Sequence, residues 1–600
     1  MRVADKVFKT LNKLGSNYAA GVAGGGIMFL VDALKKNKDF QLQFFHHEQS
    51  AAFAAEAYAR CTQSLPVCFA TIGPGVTNIV SGAFSCFINS VPCFFVTGAK
   101  RSNVSTDYSL ERFSFPQDCN TEAVARGVVK KFHELKHEDD VERIVTDLAI
   151  EAISNRPGPV WLSIPLDVQS SIAVDGSGSS KVSGNSPIKK HFLSTLSEPA
   201  IQQLCLALAK SSKPILILGH GLEKVFLSCQ FREFLRECYL PVATSIGANH
   251  LIVSAGDSAV GFFGPTGRRA ANYALVEADL IIGLGFRFTS DVIGFNQEAF
   301  FGDRHVFALV DDPAFRLPPS VSGEIFVFLP EEIPFGKIIE VTKSQKDKFN
   351  PWCTYIQDVK SILTDDREIQ SNKHGSKVDP YYLGDVLLKH LQEGSGIAGG
   401  IALEITALSH SMSFKNGHEF YLSSHAGQLG WDLPAAIGLA HSGRYRSVVC
   451  ITGDGSIMFN LQELATLSKV DCGVTIFVID NSGYNSIRTT QDTHLGGVYA
   501  GSTLEDLTFP DWQYIAKAFG FTWVRINRDD DLDTFFSTWN QTGKIFVQIV
   551  VDPDRGRTPR LVSKIKNGSF ETPRLDNQYP PLPDDVIEAL QRAKNRLYHA

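Results

Sequence analysis

The sequence predicts an α/β protein of three doubly wound parallel-sheet domains followed by an irregular C-terminal tail. Short apolar runs of strand length alternate with helical patterns along the chain, as they do in βα units. The 600 residues, of which 44% are hydrophobic, can form about three cores of ordinary domain size. Two polar stretches interrupt the alternation and so indicate where the domains are separated.

These interruptions set the predicted boundaries. The first is rich in Gly, Ser and Lys, and the second is charged with few apolar positions, so both are interpreted as linkers. The Pro-rich tail shows no helical or alternating period and is expected to wrap a surface or a cleft. The predicted segments are a first domain (1–172), a linker (173–192), a central domain (193–342), a linker (343–378), a third domain (379–552) and the tail (553–600).

Composition excludes several classes of function. The net charge of −7 is spread without a long basic run, which argues against nucleic acid as a partner. The longest apolar stretches, such as 214–219, are too short to cross a bilayer, and the N-terminus lacks the apolar core of a secretion signal. The eleven cysteines are scattered without a C-x-x-C pair, which is typical of reduced core thiols. We therefore expect a cytoplasmic protein without a membrane partner.

In the first domain, Glu48 lies where a strand-like segment gives way to a helix of small residues, 48–60. A half-buried carboxyl there can share a proton with a ring nitrogen, although a helix-capping acid is the alternative. The segment 71–78 then closes a strand with Gly73 and Pro74 and opens a new helix. Such a turn lets the backbone approach a ligand closely.

In the third domain, a buried strand at 447–452 ends at Gly453-Asp454-Gly455, and a second strand at 474–479 ends just before Asn481. Two polar residues therefore stand at the carboxyl ends of neighbouring parallel strands, where open α/β sheets bind ligands. An Asp and an Asn with a free backbone carbonyl form an oxygen-only site suited to Mg²⁺ holding a diphosphate. A plain strand-to-helix turn is the alternative.

This spacing resembles the binding motif for thiamine diphosphate (ThDP), a GDG followed some two dozen residues later by paired Asn residues. The resemblance implies that Asp454, Asn481 and the main-chain oxygen of Gly483 hold Mg²⁺, which grips the diphosphate. Asp480 replaces the first Asn of the pair and adds a negative charge. The cofactor contacts implied in this domain are Gly453, Asp454, Gly455, Ser456, Asn481 and Tyr484.

The first domain resembles the pyrimidine-binding domain of the acetohydroxyacid (acetolactate) synthase large subunit. The resemblance is carried by the Gly-rich segment 21–26, by HEQSAAFAAEAYAR, by GPGVTN and by Asn89-Ser90-Val91-Pro92. It implies that Glu48 hydrogen-bonds the aminopyrimidine and assists deprotonation of the thiazolium. It also implies active sites between two subunits, hence a homodimer or homotetramer. The further cofactor contacts it implies are Gly24, Gly25, Gly73, Pro74 and Asn78.

A second family motif precedes the diphosphate site. The segment from Gly427 to Gly438 resembles G-x-M-G-x-x-L-P-A-A-I-G, with Leu429 in place of Met. The resemblance implies that Gly427, Gln428 and Leu429 contact the cofactor and that Leu429 props it in a bent form. Leu can fill that role because its volume is similar to that of Met, and core packing is the alternative.

The central domain matches the same family at 261–274 and 283–294. Many members bind FAD here and others do not, so FAD stays open. The usual R-F-D-D-R-V is changed to Arg287-Phe288-Thr289-Ser290-Asp291-Val292, which argues against flavin. Arg287 stands at the position that in the family meets the acceptor's carboxylate, a group that a guanidinium suits. A surface ion pair is the alternative.

The segment after the metal site bears on the acceptor. Biosynthetic members carry an apolar helix with a Trp here, whereas Arg488-Thr489-Thr490-Gln491 is polar, with Thr490 in the place of the Trp. A polar wall would favour an acceptor with hydroxyl groups. This segment and the PRLVSK…YPPL tail resemble synthase-like proteins of bacterial surface-sugar pathways. In the first domain, Gly98-Ala99-Lys100 replaces the usual G-Q-V.

The sequence thus predicts a ThDP- and Mg²⁺-dependent carboligase of the acetolactate synthase type. A 2-keto acid, pyruvate in the first instance, would lose CO₂ and pass an acyl carbanion equivalent to a carbonyl acceptor. One alternative is carboligation onto a keto sugar in surface-polysaccharide biosynthesis. Another is a 2-keto acid decarboxylase or C–C hydrolase, with His46 and His47 as proton donors. A non-catalytic scaffold that retains the fold is the third.

Overall fold

The computed structural model describes residues 1–174, 198–223, 225, 228–327, 333–363, 376–401, 403–411, 413–566 and 568–599. Most of the predicted linker 173–192 lies outside the described residues, as do residues 364–375 of the predicted linker 343–378. Three six-stranded sheets, in which every strand runs parallel to its neighbours, confirm the predicted fold class.

The first sheet has the strand order β2-β1-β3-β4-β6-β5. Successive residues of its third strand pack into two different apolar clusters, because helices cover both faces of the sheet. Its strands are β1 Tyr18–Gly21, β2 Gln41–Phe44, β3 Val67–Ala70, β4 Phe94–Ala99, β5 Lys131–Glu134 and β6 Val160–Pro165. Its helices are Val3–Lys13, Met28–Lys36, Glu48–Thr62, Pro74–Asn89, Thr121–Ala125, Val141–Ile153 and Leu166–Ser170, with a 3-10 turn at Gly25–Ile27.

The second sheet has the strand order β12-β11-β10-β7-β8-β9. Ile215 and Ile217 pack on one of its faces, and Leu216 and Leu218 pack on the other. Its strands are β7 Pro214–Leu218, β8 Val242–Thr244, β9 Ala259–Phe262, β10 Leu280–Leu284, β11 His305–Val310 and β12 Gly323–Val327. Its helices are Glu198–Lys210, Cys229–Glu237, Arg269–Glu277, Ser290–Ile293, Gln297–Phe301, Phe335–Ser344 and Lys346–Ile362, with 3-10 segments at His220–Leu222 and Ile246–Ser258.

The third sheet has the strand order β14-β13-β15-β16-β18-β17, and its two central strands are buried on both faces. Its strands are β13 Gly396–Gly399, β14 Glu419–Leu422, β15 Ser447–Gly453, β16 Gly473–Asp480, β17 Thr522–Ile526 and β18 Lys544–Val550. Its helices are Pro380–His390, Leu403–His410, Asp432–His441, Asp454–Ile457, Leu464–Leu467, Asn485–Leu495, Trp512–Ala518 and Asp529–Ser537, with a 3-10 turn at Leu461–Glu463.

Two segments differ from the sequence-based expectation. Residues 343–363 of the predicted linker are almost entirely helical, and Trp352, Ile356 and Val359 lie in the core of the central domain. The tail is irregular at first, forms a short hairpin (β19 Lys564–Lys566 and β20 Ser569–Glu571) and ends in the helix Asp584–His599. That helix buries its apolar side in the same core, because Val586, Leu590 and Ala593 recur at helical spacing.

The first and third domains share one apolar core. The helix Glu48–Thr62 crosses the helix Asp432–His441 at very close range. A Cβ on Gly438 would lie 2.1 Å from the carbonyl oxygen of Ala54, so only glycine allows the two backbones to meet. This crossing fixes the first domain's Glu48 edge relative to the third domain's Asp454 edge.

Candidate active site

Asp454 and Asn481 follow the ends of two neighbouring strands, β15 and β16, whose residues Gly453 and Ile479 are in register. The Asp454 side chain accepts hydrogen bonds from two backbone amides, Gly455 N at 2.7 Å and Gly483 N at 3.0 Å. Asp454 is only 1% exposed, and burial raises its pKa to about 7. Its carboxylate charge is therefore poorly compensated by the protein alone.

The neighbouring amide oxygen completes a site that fits a cation. Asn481 is 5% exposed, and its Oδ1 has no hydrogen-bond partner among the described residues. A buried oxygen without a donor is costly unless a ligand satisfies it. No group of three His, Cys, Asp or Glu in the described part of the chain could hold a metal. Asp454 and Asn481 instead offer a carboxylate and an amide oxygen, a donor set that fits Mg²⁺.

The predicted third ligand lies in a loop that requires glycine. Gly483 has φ of 129°, and a Cβ there would lie 2.4 Å from the carbonyl oxygen of Ser502. Its amide is the donor to Asp454, so the loop is tied directly to the carboxylate. The structure thus brings Asp454, Asn481 and Gly483 together, as the predicted ligand set requires.

The other predicted contacts at the GDG turn have different surroundings. A Cβ on Gly455 would collide with the ring of Tyr484 at 2.2 Å, so the ring packs directly on the turn. The Ser456 hydroxyl donates to Asp432 Oδ2 at 2.7 Å and accepts from Gly430 N at 2.8 Å. Ser456 therefore ties the Gly427–Gly430 loop to the turn, and its hydroxyl is already engaged within the protein.

The loop before Gly430 faces outward from the third domain. Gly427 is exposed with φ of 60°, and Leu429 is half-buried, outside the five apolar clusters of the described residues. Gln428 donates to Ser81 O at 2.8 Å, while its buried Oε1 has no partner among the described residues. A Cβ on Gly427 would meet nothing within 4 Å, so the loop is open at that residue.

Glu48 is the first residue of its helix and is 8% exposed. Its Oε2 accepts from Asn78 Nδ2 at 3.0 Å, so two predicted cofactor residues are in direct contact. The helix is capped by His47, whose Nδ1 accepts from Gln49 N at 3.1 Å, and not by Glu48. Gly73, with φ of 66°, would place a Cβ 2.4 Å from Gln117 O, which explains the glycine before Pro74.

The remaining first-domain positions line the same edge. A Cβ on Gly24 would lie 2.6 Å from the Thr71 side chain, whereas one on Gly25 would meet nothing within 4 Å. The backbone amides of His46 and His47 both donate to Glu463 Oε1 at 3.1 Å. No hydrogen bond or ion pair of the described residues links Glu48 to Asp454 or Asn481.

Arg287 lies inside the protein, not in a surface ion pair. It is 12% exposed and donates to Asp311 Oδ1 at 2.6 Å. It lines a cavity of about 350 Å³ between the three domains, together with His220 and Ser245. Arg287 Nε, His220 Nε2 and Ser245 Oγ are all buried without a partner among the described residues, and burial lowers the pKa of His220. Three residues that each carry an unpartnered buried polar atom therefore line one cavity.

A second cavity of about 330 Å³ lies between this cavity and the Gly427–Gly430 loop. Both are lined by Ser245, Asp291 and His425, and the second also reaches Gly427 and Ser486. His425 Nδ1 lies 3.0 Å from Asp291 Oδ2. Sequence reasoning missed Ser245, His220 and His425, although each histidine stands next to a glycine-containing turn, where the backbone leaves space for a ligand.

The helix Asn485–Leu495 contradicts the predicted polar wall. Arg488 is 5% exposed and hydrogen-bonds backbone carbonyls. Gln491 donates to Ala500 O at 2.9 Å and accepts from Ser502 Oγ at 2.6 Å. The hydroxyl of Thr490 is exposed and bonds Ser486 O of its own helix at 3.0 Å. The prediction that Arg488 and Gln491 face an acceptor is therefore wrong, because Arg488 Nη1 and Nη2 bind backbone carbonyls and the Gln491 amide binds Ala500 O and the Ser502 hydroxyl.

Comparison with known proteins identifies the family. Three family models match: Thiamine pyrophosphate enzyme, N-terminal TPP binding domain (residues 1–120), central domain (201–315) and C-terminal TPP binding domain (403–549). The acetolactate synthase large subunit of Lactococcus lactis is 26% identical over 92% of this chain and 93% of its own. The chain belongs to the thiamine-diphosphate enzymes of the acetolactate synthase type. This result confirms the enzyme class that the sequence predicts for this chain.

Other relatives of this thiamine-diphosphate enzyme cover a similar share of the chain. The isozyme 2 large subunit of acetolactate synthase from Escherichia coli is 28% identical over 92% of this chain and 96% of its own. A thiamine diphosphate-dependent 4-hydroxybenzoylformate decarboxylase of Rhodococcus jostii has the same fold, with a TM-score of 0.72 and 17% identity, over 92% of this chain and 99% of that one. Within the described residues, no helix is long and apolar enough to span a membrane.

Proposed function

We propose that this enzyme is a ThDP- and Mg²⁺-dependent carboligase that decarboxylates a 2-keto acid, pyruvate in the first instance, and joins the acyl group to a carbonyl acceptor. The observation that carries the proposal is the pairing of the desolvated Asp454 carboxyl with the unpartnered Asn481 Oδ1 on neighbouring strand ends. Two such oxygens fit a divalent cation that holds a diphosphate.

Each predicted residue has a defined part in this proposal. Asp454, Asn481 and the Gly483 carbonyl would hold Mg²⁺, and Leu429 would support the ring system beside it. Bound ThDP supplies the acyl carbanion equivalent once the donor has lost CO₂. Glu48, oriented by Asn78, would exchange a proton with the pyrimidine. Since no hydrogen bond or ion pair of the described residues links Glu48 to Asp454, we place the active site between subunits of a homodimer or homotetramer.

The cavity at Arg287 is the proposed acceptor site. Its unpartnered Arg287 Nε, Ser245 Oγ and His220 Nε2 can bind the carboxylate of a second keto acid. The same polar atoms can bind the hydroxyls of a keto sugar, which is our second candidate acceptor. A volume of about 350 Å³ is at the low end even for drug-sized ligands, so the cavity suits a small acceptor better than FAD.

We also propose a cytoplasmic location. None of the eleven cysteines, which all lie in the described part of the chain, forms a disulfide, and six of them are buried. The proposal is consistent with a reducing compartment.

Incubation with ThDP, Mg²⁺ and pyruvate, followed by mass spectrometry of the products, tests the function. We expect CO₂ and acetolactate. CO₂ with acetaldehyde alone would favour the decarboxylase alternative, and turnover only after addition of a keto sugar would favour the second acceptor. A chain that does not bind ThDP at all would be a scaffold, and the proposal would be overturned.

A further inference from the structure

Arg488 is a buried cation with an unusual set of partners. Its Nη1 donates to Ser502 O at 2.8 Å and to Ser482 O at 3.2 Å, and its Nη2 donates to Asn481 O at 2.8 Å and to Pro553 O at 2.9 Å. All four acceptors are backbone carbonyls. Desolvating a guanidinium is costly, and these charge-assisted hydrogen bonds to the carbonyls offset that cost.

The carbonyls that Arg488 binds flank the predicted metal ligands. Asn481 and Ser482 immediately precede Gly483, and a Cβ on Gly483 would lie 3.1 Å from Arg488 Nη1. On the opposite side of this loop, Asp454 accepts from Gly483 N at 3.0 Å. The loop is thus held by Asp454 through an amide hydrogen and by Arg488 through two carbonyl oxygens.

We propose that Arg488 is a positioning residue that sets the direction of the 481–483 loop, so that Asn481 Oδ1 and Gly483 O converge with Asp454 on Mg²⁺. The inference rests on the proposed function, because it presumes that the loop binds metal and ThDP. Groups that orient metal ligands control affinity although they do not touch the ion. A planar guanidinium can reach four oxygens in different directions, which a lysine ammonium on one flexible stem cannot.

A purely structural role must be separated from loop positioning, since Arg488 also binds Pro553 O at the start of the tail. Asn485 Nδ2 donates to the same oxygen at 2.8 Å but has no bond to the 481–483 loop. Asn485→Ala therefore removes a tail contact and leaves the loop contacts in place. Arg304 provides a second control, because its guanidinium donates to backbone carbonyls of Phe300 and Val276 in the central domain.

The test is a calorimetric titration of Mg²⁺ into the full chain at saturating ThDP, with the melting temperature of the cofactor-free protein as a second readout. Changes to groups that orient metal ligands typically weaken affinity by about 10–100-fold, and we expect this range for Arg488→Lys and a larger loss for Arg488→Gln. Asn485→Ala and Arg304→Lys should lower the melting temperature and leave the Mg²⁺ affinity unchanged.

Unchanged Mg²⁺ affinity in Arg488→Lys would overturn the inference, as would an equal loss in Asn485→Ala. The Lys variant keeps the charge and most of the apolar stem, so it gives a result even if Arg488→Gln does not fold. A wild-type chain that binds ThDP without any Mg²⁺ response would overturn both this inference and the proposed metal site. Tight wild-type binding with unaffected Arg488 variants would overturn this inference alone.

Discussion

Glu48 carries the clearest prediction for a single residue. Its carboxyl is 8% exposed and contacts Asn78, and the helix cap is supplied by His47. Replacing Glu48 with Gln keeps the shape but removes the proton-exchanging group, which is worth about 10²–10⁴-fold in rate. We expect Glu48→Gln to lose turnover by this factor and still bind ThDP, as measured by CO₂ release and calorimetry. Unaltered turnover would rule out the assigned role.

Arg287 gives a second prediction for a single residue. Its Nη2 is paired with Asp311, its buried Nε has no partner among the described residues, and the residue lines the proposed acceptor cavity. Arg287→Lys keeps a charge near Asp311 but loses the fork that suits a carboxylate. We expect the KM for the acceptor keto acid to rise about tenfold with little change in kcat, as loss of uniform binding predicts. Steady-state kinetics in which the acceptor concentration is varied at a saturating concentration of the donor would measure this change. An unchanged KM would show that the acceptor binds elsewhere.

At the scale of elements, the helix Glu48–Thr62 buries a carboxyl that should make stability depend on pH. Glu56 is fully buried and accepts from Asn89 Nδ2 and Trp431 Nε1, both at 2.9 Å. Burial raises its pKa above the ordinary 4.5. The native state therefore keeps a proton that the unfolded chain loses above pH 4.5, so this contribution to stability falls as pH rises from 4.5 to the folded pKa.

The variant Glu56→Gln tests this dependence. Gln stays neutral and can still accept from Trp431, so it lacks the fall in stability above pH 4.5 that the wild type shows. We expect the difference in melting temperature between variant and wild type to shift in favour of Glu56→Gln as pH rises. A difference in melting temperature that stays constant across that pH range would contradict the prediction.

Some secondary-structure elements near the candidate site were predictable from the sequence, and others were not. The strands before Asp454 and Asn481 were predictable because buried parallel strands are continuous apolar runs with turns at their ends. The burial of Arg488 was not predictable, since its partners Ser502 and Pro553 come from separate loops that the helix pattern does not specify. The helix Asp584–His599 has apolar residues at 586, 590 and 593, which is the i, i+4, i+7 spacing of a helix. The Pro-rich segment before it led to the expectation that the whole tail is irregular.

At the scale of the whole molecule, Arg60 joins all three domains. Its guanidinium is 7% exposed, pairs with Glu223 of the central domain at 2.7 Å and donates to Leu422 O of the third domain at 2.7 Å. Removing one partner of a buried pair leaves an uncompensated charge, which costs about 3–5 kcal/mol. We expect Arg60→Met to lower the free energy of unfolding by that amount in urea titrations.

Two controls distinguish the ion pair from a general effect of the substitution. The double variant Arg60→Met/Glu223→Leu should recover much of the loss, because no buried charge is left unpaired. Arg143→Met removes an exposed partner of Asp147 and should change stability by less than about 0.5 kcal/mol. Equal losses in Arg60→Met and the double variant would show that the ion pair is not the cause.

The arrangement of the domains was predictable only in part. The order and type of the three sheets follow from the alternation of strand and helix patterns. The cavity at Arg287 was not predictable, because His220, Ser245 and His425 belong to separate loops that meet only where the domains meet. Gly438 allows the close approach of the first and third domains, because a Cβ there would collide with Ala54 O. The sequence alone does not show which helix Gly438 contacts.

We propose above that Asp454 and Asn481 bind ThDP through Mg²⁺. Calorimetric titration of ThDP with and without Mg²⁺, for the wild type and for Asn481→Leu, tests it most directly. We predict binding to the wild type that requires Mg²⁺ and a loss of that binding in Asn481→Leu, since the unpartnered oxygen is removed. ThDP binding that is equally tight without Mg²⁺, or unaffected in Asn481→Leu, would contradict the claim.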